Sequence, residues 1–238
     1  MCTRRHFIHF YNIFRRLCFY IITNAAFCRI FGGRLEILSI LRNNIPMKYD
    51  VILAGVGGQG VLSVASIIAH AALSEGLEVR QSEVHGMAQR GGAVLSHLRI
   101  ANAKIAGDLV PRGAADLIVS IEPLESLRYL SWLKEGGVIV TSAEPFNNIP
   151  NYPNIEELIS SIKRLPRSYI VEAGKLAKEA GLAKAANTVM IGLSSCFLPI
   201  KPQSLEKTIA GVFSKKGAES AASNAKAFKL GQEAAAGK

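Results

Sequence analysis

The segment Gly55-Val56-Gly57-Gly58-Gln59-Gly60 constrains the fold of this chain more than any other. It follows a short apolar run with a β-branched centre, residues 49–54. After it, Val61, Val64, Ala65, Ile67, Ile68, Ala71 and Ala72 recur at helical spacing up to a stop at Gly76. That order reads as strand, glycine turn, helix. Leu77-Glu78-Val79 then opens a second strand, so the spacing predicts the βαβ unit of a doubly wound sheet.

The alternation continues. Strands are expected over 93–100, 116–121, 138–141 and 169–171, and helices over 123–134, 155–163 and 175–180. From Asn187 onward the chain reads as helices: Asn187 is expected to cap a helix over 188–196, followed by 205–213 and an Ala-rich stretch, 218–236. The Asn- and Pro-rich tract 144–154 is a surface connection. The fold class expected is α/β, a doubly wound, mostly parallel Rossmann-like sheet with a helical C-terminal segment. It forms a single domain over residues 47–238.

Charge divides at the same boundary. The chain carries 28 Lys+Arg against 18 Asp+Glu, a formal +10, yet residues 1–46 hold seven of the Arg and only one acid, Glu36. Residues 47–238 are left with 21 basic and 17 acidic groups, scattered rather than gathered on one stripe, which argues against nucleic-acid binding. Three of the four Cys (Cys2, Cys18, Cys28) also lie in the front segment. The domain keeps Cys196 alone, too few thiols for a disulfide, a zinc site or an iron–sulfur cluster, and this composition suits a reducing, cytoplasmic compartment.

The longest uncharged apolar run of the front, residues 17–28, has 12 residues, short of the roughly 20 that a membrane-spanning helix needs. A basic stretch before such a run resembles a secretory signal or transit peptide, but Ala25-Ala26-Phe27 is a poor cleavage site. The expectation is that 1–46 is a non-domain extension, disordered or loosely helical, produced by a misplaced start, with translation beginning at Met47.

Two loops carry the candidate chemistry. Gly55, Gly57 and Gly60 have the G-x-G-x-x-G spacing that lets a backbone approach a phosphate, and Gly58 and Gln59 fill its variable positions. The acidic partner that would hold a ribose is out of place, since Glu78 comes too early on the second strand and Glu83 too late. Dinucleotide binding, as in a free NAD(P)-dependent dehydrogenase, and tight packing with nothing bound both stay open for the turn. The second loop runs Ser82-Glu83-Val84-His85-Gly86-Met87-Ala88-Gln89-Arg90-Gly91-Gly92. Following the second strand, it is expected at the carboxyl edge of the sheet beside the glycine turn. Glu83 and His85 are weak candidates for an acid/base pair. Gln89, Arg90, Gly91 and Gly92 are candidates for ligand or subunit contact, with Arg90 suited to a bidentate anion clamp. His70 and His97 read as packing or surface residues, and no metal set is present.

The glycine turn, the loop from Glu83 to Gly92, Glu122-Pro123-Leu124-Glu125 and Asn187-Thr188-Val189-Met190-Ile191-Gly192 together resemble the gamma-type subunit of 2-oxoacid:ferredoxin oxidoreductases. The H-G-M-x-Q-R-G-G form of the loop is similar to the indolepyruvate type rather than to pyruvate- or ketoisovalerate-type relatives. The resemblance covers Met47 to the C-terminus. It implies a heteromeric enzyme that oxidatively decarboxylates aryl 2-oxoacids to arylacetyl-CoA and reduces ferredoxin through the complex. It also implies a larger alpha subunit as partner, with thiamine diphosphate and [4Fe–4S] clusters on that partner, coenzyme A as co-substrate, no cofactor bound by this chain alone and no membrane. Gly107-Asp108-Leu109 departs from the G-D-G of a thiamine diphosphate motif, in keeping with that division. Mass spectrometry of the native N-terminal peptide tests the front segment: a peptide beginning at Met47 or Lys48 is expected, and peptides from 1–46 would refute the misplaced start.

Overall fold

A computed structural model describes residues 47–84, 91–147 and 149–236. The chain divides into two units, Met1–Pro46 and Met47–Lys238, and the described residues lie in the second. The expectations for 1–46 lie outside them.

Strand β1 (Lys48–Val56) runs into the glycine turn and helix α1 (Val61–Ser74), and β2 (Glu78–Val84) follows. Next come β3 (Ala93–Ala101), β4 (Ala115–Ser120), α2 (Pro123–Arg128), β5 (Leu133–Ser142), α3 (Ile155–Lys163), β6 (Ser168–Val171) and α4 (Ala173–Glu179). Helices α5 (Ala186–Ser195), α6 (Pro202–Ser214) and α7 (Ala218–Ala236) close the domain. The six strands form one sheet in the order β2-β3-β1-β4-β5-β6. β1, β4, β5 and β6 are parallel neighbours, whereas β3 pairs antiparallel with both β1 and β2.

The doubly wound α/β class is the one expected, but the first βαβ unit is not a simple neighbouring pair. β3 is threaded between β1 and β2, which puts two strand spacings, about 10 Å, between them. Both sheet faces are covered, so the central strands read as nearly continuous apolar runs. Val51, Leu53, Leu117, Val119, Val138 and Val140 pack on one face against α1, α4, α5, α6 and α7. Ile52, Ile118 and Ile139 pack on the other with Val110, Tyr129, Trp132 and Leu165. Helices α5 and α7 cross at Gly192 and Gly231. A Cβ on Gly192 would lie 2.1 Å from the Phe228 carbonyl oxygen, so no larger residue fits that crossing.

Two expected elements differ. The helix over 123–134 ends at Arg128, because Leu130–Trp132 form a 3₁₀ turn and β5 already begins at Leu133, paired with Ala115. Trp132 packs edge-on against Tyr129 with the Arg112 guanidinium 4.7 Å from its ring centre, and from Leu133 on the chain belongs to the sheet. Asn187 is not a cap. Helix α5 starts at Ala186 with Ala185 as its N-cap residue, and the Asn187 side chain is turned elsewhere.

At the amino edge of β1 a buried ion pair anchors the β1–β3 register. Asp50 and Arg99 sit directly opposite, and Arg99 Nε donates to Asp50 Oδ1 at 2.8 Å. Arg99 Nη1 also donates to the carbonyls of Gly107 (2.7 Å) and Leu109 (3.0 Å). The Gly107-Asp108-Leu109 segment therefore serves as a strap over the sheet. Arg99→Met would leave the buried Asp50 carboxylate with only the half-exposed Lys48 Nζ (2.9 Å) as a charged partner, and would take the donor from two carbonyls. A loss of about 3 kcal/mol is expected from the urea midpoint, and a loss under about 0.5 kcal/mol would show the pair to be incidental.

Candidate functional site at the carboxyl edge

The glycine turn is built from backbone outward. Gln59 N–H donates to the Val56 carbonyl (3.0 Å), and Gln59 Oε1 accepts from Val56 N–H (2.8 Å), so the side chain and main chain of Gln59 together close the turn. Gly58 (φ 100) and Gly60 (φ 81) hold left-handed conformations that favour glycine. A Cβ on Gly58 would meet nothing within 4 Å, which marks the open side of the turn. Gly55 is a packing residue: a Cβ there would lie 2.7 Å from Val61 Cγ2.

The two candidate loops meet. Gly57 N–H donates to the Gly92 carbonyl at 2.8 Å, and Gly91 N–H donates to the Gly57 carbonyl at 3.3 Å. This backbone clasp ties the end of the loop after β2 to the turn after β1, because β3 runs back antiparallel alongside β1 with Val56 opposite Ala93. The sequence expectation of neighbouring loops at the carboxyl edge holds for Gly55, Gly57, Gly58, Gln59, Gly60, Gly91 and Gly92. His85, Gln89 and Arg90 lie outside the described residues. Glu83 stands opposite Ser96 on β3 and accepts from Gln81 Nε2 at 2.9 Å. It borders a groove of about 510 Å³ with Ser63, Ser66, Ile67, Phe213 and Lys216.

The clasp also bears on the dinucleotide reading. Both polar groups of the Gly57 backbone are engaged by the second loop, and an acid at the end of β2 stands a full strand further from β1 than in an adjacent βαβ pair. Neither feature suits a ribose–pyrophosphate cradle.

Two contributors were missed by residue pattern. Asn187, from the first turn of α5, donates from Nδ2 to the Gln59 carbonyl at 2.8 Å across 128 positions of sequence. Glu122, at the end of β4, is 1% exposed and caps α2 by accepting from Glu125 N–H at 2.9 Å. It also accepts from Tyr152 Oη and from Phe146 N–H (3.4 Å), and so ties these two residues to the carboxyl edge. The acid before a proline was a legible helix start; its grip on Tyr152 was not. Glu125, buried beside it, pairs with Arg128 (2.9 Å), and burial pushes its carboxyl up despite that cation.

Among the described residues no group of three His, Cys, Asp or Glu is placed to hold a metal, and the described thiol, Cys196, is exposed. His97 is buried, with Nδ1 accepting from Val110 N–H at 3.2 Å, and burial lowers its pKa; His70 is exposed on α1. Among the described residues no helix is long and apolar enough to cross a membrane.

A six-stranded α/β sheet with a clasped glycine turn defines the class, and the family model described as pyruvate ferredoxin/flavodoxin oxidoreductase matches residues 50–234; the chain belongs to that family. It is 36% identical over 198 residues to indolepyruvate oxidoreductase subunit IorB of Pyrococcus horikoshii, covering 79% of this chain and 96% of the relative. The same subunit of Thermococcus kodakarensis matches at the same identity and coverage. Among solved structures, the gamma subunit of a keto/oxoacid ferredoxin oxidoreductase from Geobacter sulfurreducens superposes with a TM-score of 0.60 at 25% identity, over 80% of this chain and 99% of that one. The 2-oxoglutarate:ferredoxin oxidoreductase of Magnetococcus marinus shares the fold, with a TM-score of 0.65 at 23% identity over 80% of this chain and 31% of that one.

The Tyr152 phenol is raised above its ordinary value of 10.0, first by burial and then by its hydrogen bond to Glu122 and that group's negative charge. It should therefore resist ionisation when ordinary tyrosines titrate. In Glu122→Gln the neighbouring charge is gone, and phenolate absorbance should show this one tyrosine moving down, while its burial, the largest cause, still holds it above the ordinary value. An unchanged titration curve would show that Tyr152 is not tied to Glu122.

Proposed function

We propose that this chain is the small, gamma-type subunit of an indolepyruvate ferredoxin oxidoreductase. The complex oxidatively decarboxylates aryl 2-oxoacids, forms the arylacetyl-CoA and passes the electrons to ferredoxin. The identity with the IorB subunits over nearly their whole length supports the substrate type. The observation that carries the role of this chain is the Gly57–Gly91/Gly92 clasp, which fixes the ends of the glycine turn and of the loop bearing Gln89 and Arg90 side by side at the carboxyl edge. In this reading the turn and that loop line the CoA and substrate entrance, or the surface that meets the partner.

Thiamine diphosphate and [4Fe–4S] clusters do not fit the described residues. The domain has one thiol, Cys196, and the segment nearest to a G-D-G is spent on holding Arg99 at the opposite edge of the sheet. Both groups are assigned to a larger alpha subunit, and CoA enters as co-substrate. Within this chain the work is binding and orientation: Arg90 supplies a charge-assisted contact to a phosphate or carboxylate, next in sequence to the clasped Gly91 and Gly92. A cytoplasmic location is part of the proposal, supported by the unpaired thiol.

Co-purification from the native cell is the direct test. A brown, cluster-containing partner of larger mass, with CoA-dependent oxidation of aryl oxoacids, is expected; NAD(H)-linked oxoacid reduction by the isolated chain would refute the proposal. In the assembled enzyme Arg90→Ala should cost about 1.5–3 kcal/mol, roughly ten- to a hundredfold in kcat/KM for CoA. An unchanged CoA dependence would leave the loop with an assembly role alone.

A further inference from the structure

The polar groups of the glycine turn are almost all taken up by the protein itself. Val56 N–H goes to Gln59 Oε1, Gln59 N–H to the Val56 carbonyl, Gly57 N–H to the Gly92 carbonyl, and the Gly57 carbonyl to Gly91 N–H. The Gln59 carbonyl would face water in an ordinary exposed turn. Here it accepts from Asn187 Nδ2 at 2.8 Å, the one side chain from outside both loops that hydrogen-bonds to the turn among the described residues.

That contact sets a direction. In a trans peptide the N–H points opposite to the C=O. Pinning the Gln59 carbonyl toward α5 therefore aims the Gly60 N–H the other way, away from Asn187. Gly58 and Gly60 N–H find no acceptor among the described residues, and Gly58 stands on the open side of the turn. The fit between helix and turn is close: a Cβ on Gly60 would lie 2.7 Å from Asn187 Nδ2, so Gly60 must be glycine for its φ of 81 and for this contact alike. Helix α5 is itself held by the tight Gly192–Gly231 crossing with α7 and by Thr188 Oγ1 donating to Asn224 Oδ1 at 2.6 Å. The turn is thus referenced to a packed helix pair as well as to its own loop.

We infer that Asn187 is a positioning residue: by holding the Gln59 carbonyl it sets the Gln59–Gly60 peptide so that the Gly60 amide is presented to the CoA entrance. The inference rests on the proposed entrance role of the turn. A purely structural role is a poor match for the geometry, since a hydrated surface carbonyl replaces a lost partner with water at small net cost.

The test uses the assembled heteromeric enzyme. Asn187→Asp is isosteric and turns the donor into an acceptor facing the Gln59 carbonyl, which favours a flipped peptide; Asn187→Ser keeps a shorter donor. In Asn187→Asp the KM for CoA should rise about tenfold with kcat within about twofold, and Asn187→Ser should fall between it and the wild type. Hydrogen exchange of the 58–62 amides with and without CoA separates the entrance role of the turn from the positioning role of Asn187. If CoA leaves their exchange unchanged in the wild-type enzyme, the entrance role falls and this inference with it. If CoA slows exchange in the wild type but KM in Asn187→Asp stays within about twofold, the entrance role stands and the positioning role alone is refuted. Failure of both variants to assemble, or a fall in kcat with KM unmoved, would likewise overturn it in favour of packing.

Discussion

Two backbone hydrogen bonds, between Gly57 and the pair Gly91 and Gly92, are the constraint on which the site depends. They exist because β3 returns antiparallel alongside β1 instead of leaving β2 in that place. A strand threaded there brings the loop that precedes it to the turn that follows β1. The loop bearing Arg90 is consequently anchored at its far end to the backbone of the glycine turn. The same arrangement narrows the use to which such a turn is commonly put, because Gly57 already spends its N–H and its C=O on protein and, among the described residues, only the Gly58 and Gly60 N–H groups of the turn are left without an acceptor.

Around that clasp, separate devices stabilise opposite edges of the sheet. At the amino edge the buried Asp50–Arg99 pair fixes the register of β1 against β3 and draws in the 107–109 strap. At the carboxyl edge Glu122 does comparable work with neutral donors, holding the start of α2 together with Phe146 and Tyr152. A charged pair suits the first place, where a cationic donor with several N–H groups must satisfy a carboxylate and two carbonyls at once. A lone carboxylate suits the second, where backbone amides and a phenol converge on it.

Most of the elements were legible from local apolar pattern: helical spacing in the helices, and nearly continuous apolar runs in strands buried on both faces. The departures have physical causes. The helix expected through residue 134 is cut short because Ala115 recruits Leu133 into the sheet, an interaction with a partner outside the window that periodicity samples. Asn187 has the look of a cap, yet its amide makes a hydrogen bond to a carbonyl 128 residues away. Of the candidate site, the glycines and the neighbourhood of the two loops were readable, while Asn187 and the grip of Glu122 on Tyr152 were not.

The sequence by itself determined the alternating α/β class, the glycine turn and the poverty of thiols in residues 47–238, together with the motif set that marks the family. These follow from residue type and short spacing, where chemistry acts on near neighbours. Only the tertiary structure decided the strand order, the clasp, and which side chain holds the Gln59 carbonyl. Each of those is a choice among distant partners, and the choice is made by which packing buries both faces of the sheet and leaves its backbone groups paired.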